Sequence, residues 1–395
     1  MAKLGMPSVN IAFTEQGIEA IERSQRGILA LILEESEETI ADITSSSVVG
    51  SAVVGTAEVG EEGTVETAVT NPFTVYTTDD IPAGLSAANK DYITKALLGY
   101  VTSPYRVKVY LQATVESAPD KWAATLKKMY NDRWDYLAIP TIAESECESV
   151  ATWIKTNREN KNKRVKAVLP KYDADYEGVV NFANEYVETA TKKYTTAEYT
   201  ARIAGLICGT PMTISATYAP LSEVIATDQH DGDENDEKVN AGEFFIFFDG
   251  EKFKMSRAMN SLVTTTQGRL EAYQTIKTVD CMDMIYDDIR RTAQDSYIGK
   301  YTNDYDNKCL LITAIMGYFK ELEAGRLLQK DYSTCEIDVE AVKNYQLKHG
   351  LYTQDQLADM SDDEIKKLDT KKQVFLKAKI KMLDAMEDID LNIDI

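Results

Sequence analysis

Val9, Ile11 and Phe13 alternate with Ser8, Asn10, Ala12 and Thr14 near the start of the chain. This period-2 pattern gives one apolar and one polar face and predicts a strand. The run GILALIL at residues 27–33 is uninterrupted, which predicts a strand buried on both faces. An acidic block (Glu34, Glu35, Glu37, Glu38) then leads into residues 45–70, which hold no aromatic residue, Lys or Arg. Short alternations there, such as residues 48–54, fit a surface hairpin or a solvated loop.

From about residue 105 to 209 the pattern becomes α/β. RVKVYL (106–111), YLAI (136–139) and VKAVL (165–169) are β-rich, and two helical stretches separate them. Residues 120–133 carry Trp122, Leu126, Met129 and Tyr130 on one side; residues 146–160 carry Val150, Trp153 and Ile154. Such alternation predicts right-handed βαβ crossovers and a mainly parallel sheet. Asp120, and Ser145 or Glu146, stand at N-cap positions, while Pro140 and Pro170 end their strands. After residue 210 the mode changes. EFFIFF, Asp249-Gly250 and EKFKM predict a hairpin, because Asp-Gly supplies the positive φ angles of a tight primed turn. Helices follow over 267–296 and 307–328, separated by Gly299.

The last 25 residues alternate twice. Leu376, Ala378, Ile380 and Met382 alternate with Lys377, Lys379 and Lys381; Ile389, Leu391, Ile393 and Ile395 alternate with Asp390, Asn392 and Asp394. Residues 371–381 hold five lysines and no acid, whereas 384–394 hold five acids and no base. Opposite charges facing each other across a strand pair contribute roughly 0.2 to 1 kcal/mol each. A Lys-faced strand beside an Asp-faced strand would be a matched pair, within one subunit or between two.

Composition narrows the function classes. The chain has 395 residues, enough for two or three domains at roughly 100 to 200 residues each. Its 43 Lys plus Arg against 64 Asp plus Glu give a net charge of −21. A surface this negative repels phosphate, which argues against direct nucleic-acid or anionic-membrane partners. Two histidines, His230 and His349, leave little for imidazole catalysis. Five cysteines with no CxxC spacing predict reduced thiols in a cytoplasmic protein. GILALIL is too short for a membrane span and badly placed for a signal peptide. Synthesis and folding in the cytoplasm are therefore expected.

No HExxH, GxSxG, Walker A or complete EF-hand pattern occurs. The acids at 228, 231, 233, 234, 236 and 237 lack the glycine and Glu that a calcium loop needs at its sixth and twelfth positions. They predict a solvated loop containing His230; His349, beside Gly350, reads as a helix-end residue. No glycine-rich turn follows the first α/β strand, so a nucleotide site is weakly supported. No catalytic residue, metal or cofactor is expected. The 22 tyrosines suit protein interfaces but equally ordinary domain surfaces.

Three long segments, YIGKYTNDYDNKCLLITAIMGYFKEL (297–322), ARIAGLICGTPMTISATY (201–218) and NAGEFFIFFDGEKFKMSRAMNSLV (240–263), carry a resemblance. Together with PSVNIAF (7–13) and VFLKAKIKMLDAMEDIDLNIDI (374–395), they resemble the contractile tail sheath proteins of Gram-positive myophages and phage-like particles, the PBSX-like group. Residues 45–70 depart from that family as an insertion. The resemblance implies an α+β protein: an N-terminal arm (1–20), a β-rich region (21–100), an α/β outer domain (101–209), an inner sheath domain (210–385) and a C-terminal arm (386–395). It implies copies of itself in stacked six-fold rings, an inner tube protein, and baseplate and tail-terminator proteins as partners. Release in a virion or phage-tail-like particle follows. The arms, which add strands to neighbours, map onto Val9, Ile11 and Phe13 and onto Ile389, Asp390, Leu391, Ile393, Asp394 and Ile395. The acceptor edge maps onto Leu376 to Met382. The competing reading is an α/β enzyme with an oligomerisation module, which needs a titratable pocket at the carboxyl ends of the parallel strands, near Pro140 and Pro170.

Overall fold

The computed structural model describes residues 20–44, 69–118 and 120–393. The expected strand at Val9, Ile11 and Phe13, the alternation at 48–54, and Asp394 and Ile395 lie outside these. The chain divides into two compact units: Ser24–Asp287 with Asp384–Ile395, and Asp288–Leu383 with Met1–Arg23.

The larger unit begins with β1 (Ile28–Glu35), α1 (Glu37–Thr44), β2 (Phe73–Val75), α2 (Ala87–Leu97) and β3 (Arg106–Ala113). It continues through α3 (Ala123–Met129), β4 (Tyr136–Ala138), α4 (Glu144–Asn160), β5 (Lys166–Pro170) and β6 (Val179–Phe182). Then come β7 (Tyr186–Thr189), β8 (Lys193–Thr195), α5 (Thr196–Cys208), β9 (Val224–Thr227) and α6 (Gly232–Asn240). Last are β10 (Glu243–Phe244), the hairpin β11 (Ile246–Phe248) and β12 (Phe253–Met255), and α7 (Ile276–Thr292).

Seven strands form the central sheet in the order β10-β6-β5-β4-β1-β3-β2, and all neighbours run parallel except β2 with β3. The sheet thus takes strands from both sides of the 101–209 segment. GILALIL supplies its middle strand. Leu29, Leu31 and Leu33 pack on the side of α2 and α5, and Ile28, Ala30 and Ile32 on the side of α3 and α4. Burial on both faces is why the run shows no alternation. Helix α5 crosses α2 so closely that a Cβ on Gly205 would lie 2.0 Å from the Ala96 carbonyl oxygen, which only glycine permits.

Several elements differ from expectation. Asp228 and His230 lie in a loop after β9, as expected, but the acids at 233, 234, 236 and 237 are helical: Asp231 caps α6, accepting from the Glu234 N–H while Glu234 accepts from the Asp231 N–H. This capping box starts a helix with no buried residue, and the missing apolar stripe is what made it read as loop. Helix α3 starts after Trp122, not at Asp120, because the Trp122 indole is buried and donates to Glu146 at 2.8 Å. Glu146 is the N3 residue of α4, and its carboxylate accepts from the Ala143 N–H, so the cap is Ala143. Helix α7 begins nine residues later than 267 because residues 266 and 269 bridge in a turn.

The boundary between the units falls within α7, between Asp287 and Asp288. The smaller unit contains α8 (Tyr305–Ala324), β13 (Thr334–Ile337), α9 (Val339–Lys348) and β14 (Leu376–Lys379). Of the apolar residues at helical spacing in α8, Ala314, Ile315, Tyr318 and Leu322 are buried and Leu311 is half-buried. His349 caps the C-terminus of α9, stacked on Tyr345.

Candidate assembly surfaces

β14 pairs antiparallel with β13, setting Leu376 opposite Ile337, Lys377 opposite Glu336, Ala378 opposite Cys335 and Lys379 opposite Thr334. Beyond the strand, the Gln329 N–H donates to the Lys381 carbonyl at 2.8 Å, and Met382 bridges to Leu328. Ile380 and Met382 are half-buried and Lys381 is exposed. Among the described residues no third strand joins this sheet. A two-stranded sheet is marginal alone, and its open edges are templates for further strands. The pleat aims Leu376, Ala378 and Cys335 into an apolar groove of about 930 Å³ lined also by Ile289, Leu311, Ile315 and Phe319. Lys377 and Lys379 alternate with these and are exposed. The turn into β13 is held by Glu323, which accepts from the Ser333 and Asp331 N–H groups at 3.1 Å. Hydrogen bonds from Ser333 and Lys320 hold the Glu323 carboxyl down at about 2.

Residues 384–393 form no strand. Their acids find partners in the larger unit instead. Asp384 accepts from the Thr278 hydroxyl at 2.9 Å, and Glu387 accepts from the Thr217 hydroxyl at 2.6 Å. Arg257 Nε lies 3.4 Å from Glu387, and its guanidinium also pairs with Asp388. Past this point Ile389, Leu391 and Ile393 are 82%, 73% and 74% exposed, and Asp390 is exposed too.

One titratable cluster, Glu34, Lys121 and Glu146, lies at the carboxyl ends of the parallel strands, with Lys121 Nζ 2.9 Å from Glu34 and 4.0 Å from Glu146. The larger one sits at the amino ends, opposite Pro140 and Pro170. Arg26 precedes β1, Asp135 precedes β4 and Lys166 opens β5. Arg26 and Lys166 meet carboxylates of α7, and Asp135 joins them through Arg26. Lys166 Nζ lies 2.9 Å from Asp280 and 2.8 Å from Asp283, and Arg158 bonds Asp283 at 2.7 and 3.0 Å. Arg26 joins Asp135 at 2.7 Å and Asp287 at 3.0 Å. Burial alone would raise the Asp283 carboxyl, but Lys166 and Arg158 outweigh it and hold it at about 2. For Asp280 burial wins and the carboxyl titrates higher than usual. Matched charges that hold one another in fixed geometry make a clamp on α7. This arrangement does not resemble the substrate pocket that the enzyme reading needs at the other end of the strands.

The clamp and the tail contacts escaped the sequence reading because their members lie 100 or more residues apart and belong to no motif. The one local signal was chemical: Asp280, Asp283 and Asp287 recur at helical spacing on a helix whose apolar stripe is buried.

Comparison with known proteins agrees with the segments singled out above. The family model of the phage tail sheath protein central domain matches residues 116–261, and that of the phage tail sheath C-terminal domain matches residues 270–395. The tail sheath protein of Clostridium phage phiCD119 is 34% identical over 393 residues, covering 98% of this chain and 99% of the relative. The phage-like element PBSX protein XkdK of Bacillus subtilis is 26% identical over 164 residues, 40% of this chain and 35% of the relative. The helical sheath of the anti-feeding prophage in its contracted state shares the fold, with a TM-score of 0.68 at 12% identity over 99% of each chain. The phage phiCD119 relative and the anti-feeding prophage chain are structural sheath proteins, not enzymes. With full-length identity at this level and both family domains matched in order, the chain belongs to the phage tail sheath protein family.

Proposed function

We propose that this chain is the repeating subunit of a contractile sheath, whose copies stack as six-fold rings around an inner tube. Triggering at the baseplate rotates and compacts the rings and drives the tube through a target envelope, without nucleotide hydrolysis. Assembly takes place in the host cytoplasm with tube, baseplate and terminator proteins as partners, before release in a virion or phage-tail-like particle. The observation that carries this reading is the two-stranded β13–β14 sheet with open edges and an apolar groove, in a family chain with an exposed apolar arm. Residues 389–395 of one copy add to the edge at 376–382 of another, setting the acidic arm against Lys377, Lys379 and Lys381. The N-terminal arm at Val9, Ile11 and Phe13 adds a further strand. Arms that stay paired while the packed surfaces exchange partners let the lattice switch between two arrangements without coming apart.

Negative-stain electron microscopy of the purified chain tests the function class: hollow, striated cylinders are expected, and a protein that stays monomeric at every concentration and salt level counts against it. The triple variant Lys377→Glu/Lys379→Glu/Lys381→Glu is expected to assemble poorly, most of all at low salt. There the screening length, about 10 Å at 0.1 M, grows longer. Unchanged assembly of this variant at low salt would remove the charge-matching part of the proposal.

A further inference from the structure

Building on the arm-docking reading above, we infer that Thr217, Arg257 and Thr278 form a clasp on residues 384–388 that fixes where the C-terminal arm leaves its own subunit. Three separate pieces of the larger unit supply it: the segment after α5, the segment after β12 and the first turn of α7. The two threonines are themselves held in place, Thr278 accepting from the Thr275 hydroxyl at 2.7 Å. The Thr217 oxygen accepts from the Ala258 N–H at 2.9 Å, which leaves its hydroxyl proton aimed at Glu387. Arg257 adjoins Ala258, so two of the three contacts share one rigid corner. The Glu387 side chain is 19% exposed and that of Asp388 is 82% exposed, so Glu387 carries the anchorage and the Asp388 pair is screened by water. Met386, between the anchors, is 92% exposed. The clasp therefore grips polar groups and leaves apolar ones free for a second copy of the chain.

Its consequence is reach. From Asp388 the seven residues 389–395 extend at most about 25 Å, whereas the twelve residues after Leu383 would extend about 40 Å. A longer tether dilutes the arm around its acceptor by about two- to fivefold, and it admits acceptor sites that a clasped arm does not reach. The clasp is a ruler for the choice of neighbour.

The test uses the full-length chain. In Arg257→Glu, hydrogen exchange of the monomer is expected to show loss of protection at 384–388 with an unchanged melting midpoint. The concentration at which sedimenting sheath first forms is expected to rise about two- to fivefold, and Glu387→Gln should move it the same way. The swap Arg257→Glu/Glu387→Arg should restore both the protection and the onset. A swap that restores neither overturns the clasp, and so does a tail that stays protected in Arg257→Glu. If the tail is released, assembly begins at the wild-type concentration and deletion of 389–395 still abolishes sheaths, the arm reading stands and the clasp is wrong. If that deletion also assembles normally, the arm reading itself fails.

Discussion

Deletion of residues 389–395 is expected to leave a folded, soluble monomer that cannot form tubes. Nothing in the folded chain leans on the described part of this segment: the last side-chain anchors are Glu387 and Asp388, and Ile389, Leu391 and Ile393 face solvent. Burying an apolar side chain of this size against a neighbour is worth about 1.5 to 3 kcal/mol. Ordering each residue's backbone costs about 1 to 2 kcal/mol, so four apolar contacts nearly offset the ordering of seven residues. Strand hydrogen bonds, at about 0.5 to 1.5 kcal/mol net each, supply the surplus. On the proposed docking one link is weak, and a lattice would draw its strength from every subunit repeating it. Assembly should therefore be lost steeply rather than by degrees when the arm is removed, while the melting midpoint of the monomer stays put. Electron microscopy and sedimentation of the truncated chain read the outcome directly; normal sheaths would end the arm proposal.

The same contrast between local and distant determinants explains what the sequence makes legible. Strands β1, β3 and β5, the β11–β12 hairpin and helix α8 announce themselves, because periodicity acts over a few residues. The hairpin's turn is not the expected two-residue primed turn but a four-residue loop, 249–252, with positive φ at Gly250 alone. Helix α5 does not. Ten of its residues, from Thr196 to Ile207, are buried around its whole circumference, so no apolar stripe marks it. What does mark it is the pair Thr195 and Glu198, a capping box easily passed over beside the strand at Lys193–Thr195. The central position of β1 was also hidden, since a strand's neighbours are set by crossovers and not by its own composition. For the assembly surfaces, the alternation at 376–382 and 389–395 was plain, and the structure supplies the partner β13 and the groove. Arg257 and Thr217 carry no sequence mark, because their partners Asp388 and Glu387 lie 131 and 170 residues away.

The net charge of −21 also looks different once contacts are placed. A uniformly acidic subunit would resist packing against copies of itself. Here acids of α7 are neutralised internally by Arg26, Arg158 and Lys166, and the lysines of 377–381 are left exposed. The buried pairs thus take both signs off the surface in nearly equal number, and the exposed lysines stand out as positive charge beside an open strand edge, where an acidic arm would be attracted to them.

The α7 clamp sets the second large expectation: Asp283→Asn should destabilise the larger unit by about 3 to 5 kcal/mol, the usual result of removing one partner from a buried ion pair. Arg158 and Lys166 are nearly inaccessible to water, so with Asp283 neutral the nearest carboxylates left to them among the described residues are Glu177 at 3.8 Å and Asp280 at 2.9 Å. The melting midpoint should fall on the order of 10 °C, read by calorimetry on the monomer. Exposed pairs set the scale: Asp369→Asn, which removes the partner of Lys371 in a solvated pair, should melt as wild type does. Acid gives an independent reading. Because the Asp283 carboxyl is held down at about 2 in the folded chain, its contribution is fully present above about pH 4 and drains away as pH falls through 2. Asp280, raised by burial, acts with the opposite sign and offsets part of that loss. Asp283→Asn should therefore flatten the acid limb of the stability profile as well as lower its plateau. A variant that melts within about 1 kcal/mol of wild type, the range of a surface pair, would show that water reaches the carboxylate and that α7 is held by packing alone.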